Sequence, residues 1–498
     1  MTDNWTDIRP EDAGMDPAWL MRFLDEIEAH RLTLHGCMFC KDGKRALEAY
    51  WAPFTGEETH RLYSSTKSFV SVAIGLAADR GLLSLDDPIV RFFPEYRSAA
   101  HPYVAETTVR DLLRMATPYS RPTYDDPALT GPEWLASYFR AKPDHPPGTL
   151  FRYDSCGSYV LGAIVKRAAG KPFFDFLRET LLDELGFSKD ARCLEGPDGE
   201  LWAGSAVLAR LRDFARLAQF LMDGGRIHGR QLLSEAYVKA ATTRQIDNNT
   251  EGLNSPWRCG YGYQIWILPD DAFAMVGMGD QLAICVPGKR FLFACVGDTQ
   301  GVANSHEQIY DILWREVVRK LSDTPLPHGG SWDKLRKRAE CLTLAPVAGR
   351  TRTETAARVD GRRYILDDNP MGIRELTITA DADGGTLHYV NPRGEKTLRF
   401  GFGSCLPGQF PEKHFNGDRL GVPAGRTFRC FSSGAWVQEN TLLIRVHIAD
   451  SYVGNLTIAL CFTGERVALS MHKNAQFFLK EYQGTTGGRA AHPSDNSA

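Results

Sequence analysis

Over residues 1–322 the apolar positions switch repeatedly between a helical and a strand period. Leu20, Phe23, Leu24 and Ile27 recur at helical spacing behind Asp16-Pro17, a capping residue followed by the proline that a first turn tolerates. Residues 34–41 and 45–51 read as strands on either side of Lys41-Asp42-Gly43-Lys44, and an Asp-Gly pair there predicts a tight hairpin turn. Helices are predicted over 66–79, 158–169, 173–185, 208–222 and 306–321. A second group of strands is predicted over 261–267, 273–276, 282–286 and 291–296, the last pair turned by Pro287-Gly288-Lys289. Hairpin, helical block, further strands and closing helix make a mixed α/β (α+β) unit built on an antiparallel sheet.

Beyond about residue 347 the helical period stops. Short alternating runs follow at 363–366, 375–380, 386–390, 397–402, 427–431, 441–447, 455–462 and 467–472, parted by turns such as Asp383-Gly384-Gly385 and Asn391-Pro392. Regular short strands with turn signals predict an all-β domain, a barrel or a sandwich. The expected division is therefore a first domain over 1–325, a linker over 326–345, the all-β domain over 346–483 and a disordered tail over 484–498.

Composition narrows the partners. Apolar residues are 43% and charged residues 24% of the 498, an ordinary globular balance, and 58 basic against 61 acidic side chains leave a net charge of −3. Such a chain has no basic field with which to hold nucleic acid. Its most apolar run, 69–78, is about half the ~20 residues that span a bilayer, so no membrane span is expected. The polar, acidic start, Met1-Thr-Asp-Asn, lacks the pattern of a secretory signal, and the expected location is cytoplasmic. Eleven cysteines, an odd number spread over the chain, fit free thiols. Cys37 and Cys40 lie three apart on a predicted strand and face opposite sides, and the thirteen histidines show no ligand spacing. Neither metal nor cofactor is expected.

Gly-x-Ser-x-Gly, His-Glu-x-x-His, phosphate-loop and dinucleotide patterns are absent. What stands out is Ser64-Ser65-Thr66-Lys67 at the start of a predicted helix. Ser64 and Lys67, three apart, share a helix face with Cβ atoms about 5–6 Å from each other. A lysine so placed takes the serine proton if desolvation lowers its pKa. The spacing alone is weak, because Ser331–Lys334 and Ser470–Lys473 repeat it, the first in the expected linker and the second on a predicted strand. A second element, Tyr153-Asp154-Ser155, follows Pro147-Gly148; Tyr153 and Ser155, two apart in an extended segment, point the same way. A phenol beside an ammonium can serve as acid and base in turn. His60, Tyr263 and Gln264 are weaker candidates for the same cleft.

With these motifs the chain resembles the serine β-lactamase and penicillin-binding-protein superfamily, in particular its class C-like esterases and amidases. The resemblance runs from about Gly14 to Leu321 and includes Leu62–Lys67, the phrase Gly81–Pro88, Pro147–Ser155, Leu201–Gly225 and Tyr261–Gln281. It implies an all-helical lobe beside the sheet and a cleft that takes a small ester or amide. It also implies Ser64 as nucleophile, Lys67 as proton partner, Tyr153 as second acid/base, and Ser155 in place of the family's Asn or Ser. The family's Lys/His-x-Gly motif falls on Gly277-Met278-Gly279, with the backbone N–H of Asp280 beside that of Ser64 as oxyanion hole. Gly277 brings no cation for a substrate carboxylate, so neutral esters are expected to outrun penicillins, and Gly277→Lys to favour anionic substrates if the backbone admits a side chain. An acyl-binding sensor, or a β-lactamase or DD-peptidase, are the alternative activities.

Overall fold

In the computed structural model, which describes residues 5–121, 123, 133–249, 251–411, 428–475 and 479–492, Asp42 and Gly43 have φ of 53° and 71°. Two left-handed central residues match the twist of the strands they join, β1 (Leu34–Lys41) and β2 (Lys44–Tyr50). The described chain divides into two compact units. The first runs to Tyr50 and from Phe54 to Cys341; the second holds Trp51–Pro53 and the chain from Leu342 onward.

In the first unit, β1 and β2 join β3 (Trp266–Ile267), β4 (Phe273–Gly277), β5 (Gln281–Val286) and β6 (Phe291–Gly297) in the order β2-β1-β6-β5-β4-β3, every pair antiparallel. All residues of β1, β5 and β6 are buried, as expected of strands covered on both faces. Helix α1 (Pro17–Ala29) starts where Asp16 accepts the Ala18 N–H at 2.8 Å. Helix α2 (Thr66–Asp79) packs on α3 (Ser155–Ala169), and α4 (Leu211–Met222) crosses β1, β5 and β6. Helix α5 (Ser305–Glu316) lies against α1.

Three expectations in this unit are corrected. Helix α3 begins at Ser155 rather than 158, because the Asp154 carboxylate accepts the Cys156 and Gly157 N–H groups at 2.8 and 3.1 Å. Ser155 is therefore the first residue of a helix, and alternation in an extended segment does not aim it. The predicted strand 261–267 survives only as β3; Gln264 is left-handed at φ 59° and donates its N–H to the Leu113 carbonyl at 2.8 Å. The expected linker contains α6 (Ser331–Glu340), which buries Leu335 and pairs Arg338 with Asp25 and Glu28 of α1.

In the second unit, β7 (Arg363–Leu366), β8 (Glu375–Ala380), β9 (Gly384–Asn391), β10 (Gly394–Phe402) and β11 (Leu406–Phe410) are followed by β12 (Phe428–Gln438) and β13 (Thr441–Ala449). β14 (Val453–Thr463), β15 (Arg466–Asn474) and β16 (Gly484–Ala490) complete the unit. The order β10-β9-β8-β7-β16-β15-β14-β13-β12 closes where Gly401 and Phe402 pair in parallel with Ser433 and Gly434, so this is a nine-stranded barrel with β11 added beside β12. Leu442, Ile444, Val446 and Ile448 are buried while Leu443 and Arg445 between them are half-exposed, the alternation of a barrel wall. The expected disordered tail is corrected over Gly484–Ala490: these residues pair with β7 and β15. Glycine there serves close approach, since a Cβ on Gly488 would stand 2.5 Å from the Ile365 carbonyl oxygen. Residues 493–498 of that tail, and Thr427 of an expected strand, lie outside the described residues. Among the described residues no helix is long and apolar enough to cross a membrane.

Candidate active site

The short strand His60–Arg61 pairs with Val207–Ala209 and delivers the chain into a 3₁₀ turn, Tyr63–Ser65, that runs on into α2. Arg61, fully buried, stacks its guanidinium between the rings of Tyr63 (4.9 Å) and Trp202 (4.6 Å) and donates to the Ser205 carbonyl at 2.8 Å. Packing on this scale holds Tyr63 at φ 45°, a sparsely populated conformation for a bulky residue. The strained residue immediately precedes Ser64. Around it the helix start is pinned: Ser65 Oγ donates to the Gln281 carbonyl (2.9 Å), Thr66 Oγ1 accepts the Val207 N–H (2.9 Å) and Ser68 Oγ donates to the Gln264 carbonyl (2.9 Å).

Lys67 Nζ donates to Ser64 Oγ at 3.1 Å and to the Gly204 carbonyl at 2.6 Å. The lysine is 1% exposed, and burial lowers its pKa to about 7 while the Asp154 carboxylate pulls the other way. Tyr153 completes the group. Its ring lies 4.9 Å from Lys67 Nζ and its hydroxyl is a hydrogen-bond partner of Ser64; the residue is 36% exposed at the cleft, but desolvation at the hydroxyl pushes its pKa up to about 12. The ring stacks on Trp266 at 5.7 Å and 26°. Ser64, Lys67 and Tyr153 are thus brought together. Ser155 is not joined to Ser64 or Lys67 by any side-chain hydrogen bond among the described residues. A Cβ on Gly204, whose carbonyl holds Lys67, would stand 2.8 Å from the Ser155 carbonyl oxygen, so there is no room for a side chain at that position.

Gly277 ends β4, and Met278-Gly279-Asp280 turns the chain into β5, with Gly279 at φ 73° and Asp280 at φ 64°. Gln281 braces the turn, donating to the Met278 (3.1 Å) and Gly297 (2.7 Å) carbonyls. A Cβ on Gly277 would stand 2.1 Å from the Leu62 carbonyl oxygen, so the backbone admits no lysine there, and the expected gain from Gly277→Lys is withdrawn. The Asp280 carboxylate does not project freely; it is 3% exposed and accepts from Thr299 Oγ1 at 2.5 Å.

These residues border a cleft of about 310 Å³ lined by Ser64, Tyr153, Trp266, Val276, Gly277, Met278, Gly279, Asp280, Thr299, Gln300, Val302, Ser305 and His306. Trp266, Thr299, Ser305 and His306 carry no sequence signal for this role, since tertiary folding alone brings them to Ser64. Asp154 does lie inside a quoted motif, but as a helix cap it gives no hint of its closeness to Lys67. A cavity of about 540 Å³ between Asp7, Glu48 and Trp332 contains none of the predicted residues, and its Arg45 and Arg336 pair with Asp7 (2.6 Å) and Asp333 (3.0 Å). The weaker candidates are structural. His60 Nε2 meets His35 Nδ1 at 3.1 Å, Tyr263 accepts from Arg110 at 2.7 Å, and the Gln264 amide donates to the Leu112 (2.8 Å) and Leu113 (3.1 Å) carbonyls. Cys37 and Cys40 are buried free thiols with pKa raised by burial, and no group of metal-ligating side chains occurs among the described residues.

A family model described as Beta-lactamase matches residues 25–303, more than half of the chain. The 6-aminohexanoate-dimer hydrolase of Paenarthrobacter ureafaciens is 25% identical over 251 residues, covering 47% of this chain and 64% of that protein, less than two thirds of its length. Among solved structures, a putative 6-aminohexanoate-dimer hydrolase from Bacillus anthracis superposes with a TM-score of 0.50 at 19% identity, covering 59% of this chain and 80% of its own. EstCE1, a hydrolase with promiscuous acyltransferase activity, also gives 0.50, at 16% identity, covering 60% of this chain and 98% of its own. At these identities the two structures show a shared fold.

Proposed function

The chain belongs to the beta-lactamase family, and we propose that it is a serine hydrolase that forms an acyl-enzyme on Ser64 and cleaves a small ester or amide. The observation that carries this reading is the 3.1 Å contact between Ser64 Oγ and a buried lysine whose pKa burial brings to about 7. A neutral amine is then well populated near pH 7 and takes the serine proton as Oγ attacks the acyl carbon. The negative charge that builds on the acyl oxygen is met by the backbone N–H groups of Ser64 and Asp280. Tyr153, neutral at pH 7, passes a proton to the departing alcohol or amine as the bond to the acyl carbon breaks, and is resupplied from Lys67. Water then repeats the attack on the acyl-enzyme; its proton follows the same route, the acid leaves and the Ser64 hydroxyl is restored. The choice of ester or amide is supported by the curated relative, whose name gives it a 6-aminohexanoate dimer as substrate.

The test is to incubate the chain with a fluorophosphonate probe, map the modified peptide and follow p-nitrophenyl ester turnover. Label at Ser64 with continuing release is the expected result. Label elsewhere overturns the assignment of the nucleophile, and a stoichiometric burst without further release turns the reading to an acyl-binding sensor.

A further inference from the structure

One wall of the cleft carries a carboxylate of its own. Asp280 accepts from Thr299 Oγ1 at 2.5 Å and is hydrogen-bonded to the Ser305 side chain, while Thr299 Oγ1 and Ser305 Oγ lie 3.0 Å apart. His306, the next residue, also lines the cleft; burial raises the pKa of the Asp280 carboxyl, and its hydrogen bonds to Ser305 and Thr299 oppose that rise. Two hydroxyls on one carboxylate, with an imidazole on the same cleft wall, make the set with which a site holds an anion, and here the anion belongs to the chain. On the other side of the same turn, Gly277 leaves no room for a cation. Asp280 sits at φ 64°, a left-handed conformation that aspartate enters more readily than most residues with a side chain.

Resting on the acyl-enzyme reading, we propose that Asp280 determines specificity: its carboxylate fills the anion seat of the cleft, so the site takes acyl groups without a carboxylate and turns away those that carry one. A substrate carboxylate at this wall would find the donors engaged and a like charge beside it, in a cleft partly withdrawn from water.

The test uses the full chain and two esters of equal length, p-nitrophenyl hexanoate and mono-p-nitrophenyl adipate, with rates divided by their uncatalysed hydrolysis. Wild type should favour the neutral ester about tenfold or more in kcat/KM, the scale of one charge-assisted contact. Asp280→Asn, which keeps the shape, should shrink that preference about tenfold. The ratio cancels any common loss through the neighbouring backbone N–H. Asp280→Ala should bring competitive inhibition by hexanoate anion that wild type lacks. Equal turnover of both esters by wild type overturns the inference whether or not the variants fold, and so does a preference unchanged in Asp280→Asn. If the phosphonate probe does not label Ser64, the hydrolase reading falls, and this one with it.

Discussion

Ser64–Lys67 in the first unit and Ser470–Lys473 in the second share one sequence pattern and differ in everything that makes a proton move. Where the 3₁₀ turn holding Ser64 runs into α2, Oγ and Nζ lie 3.1 Å apart, and burial of the lysine lowers its pKa to about 7. On β15 residues three apart face opposite sides; Ser470 Oγ accepts from Thr485 Oγ1 at 3.2 Å and Lys473 Nζ donates to the Ala475 carbonyl at 2.6 Å. Ser331–Lys334 is a third case: helical spacing on α6, but Lys334 is exposed to solvent. A nucleophile of this kind needs helical spacing and a desolvated amine together, and the pattern specifies neither.

The strongest test of that comparison is serine replacement. Ser64→Ala should reduce ester kcat/KM by about a thousandfold or more, whereas Ser331→Ala and Ser470→Ala should leave it unchanged. Loss at either of the other serines would break the comparison. Next in size are the partners. Lys67→Met and Tyr153→Phe should each cost about 10²–10⁴-fold, and the double variant little more than the worse single, as the proposed shared proton route requires. Fully additive losses, measured as a cycle in kcat/KM, would separate the two roles.

A pH series sharpens the same point. Activity should rise as pH increases through about 7, where Lys67 loses its proton, and level off above it. Stability should follow with the same sign. The folded pKa of Lys67 lies below its usual 10.5, so between about 7 and 10.5 the unfolded chain binds the extra proton and the folded state gains as pH rises. Urea titrations across this window should show the slope in wild type and a smaller one in Lys67→Met. The smallest effect is expected from removing the barrel. A chain ending at Cys341 should keep Ser64 probe-reactive at the full-length rate, since every residue lining the cleft lies between 64 and 306. A chain ending at Ser322 loses α6 and the burial of Leu335, about 2 kcal/mol of stability, and should melt earlier.

Local chemistry was legible in the sequence wherever neighbours in the chain determine it. The Asp42-Gly43 hairpin, α2 over 66–79 and the strands 363–366 and 375–380 form within the predicted bounds, because turn residues and apolar period act over a few positions. Ser64 and Lys67 meet as their spacing predicts, because both ride one helical turn. What the tertiary structure decided depends on groups far apart in the chain. The burial of Lys67, the Gly204 carbonyl that holds it, the Leu62 carbonyl that denies Gly277 a side chain and the hydroxyls on Asp280 all come from other segments. So does the fate of Gly484–Ala490: its composition is that of a loose tail, and only the gap between β7 and β15 makes it a strand. Desolvation and close backbone approach are properties of a packed volume, and a pattern read along one chain does not contain them.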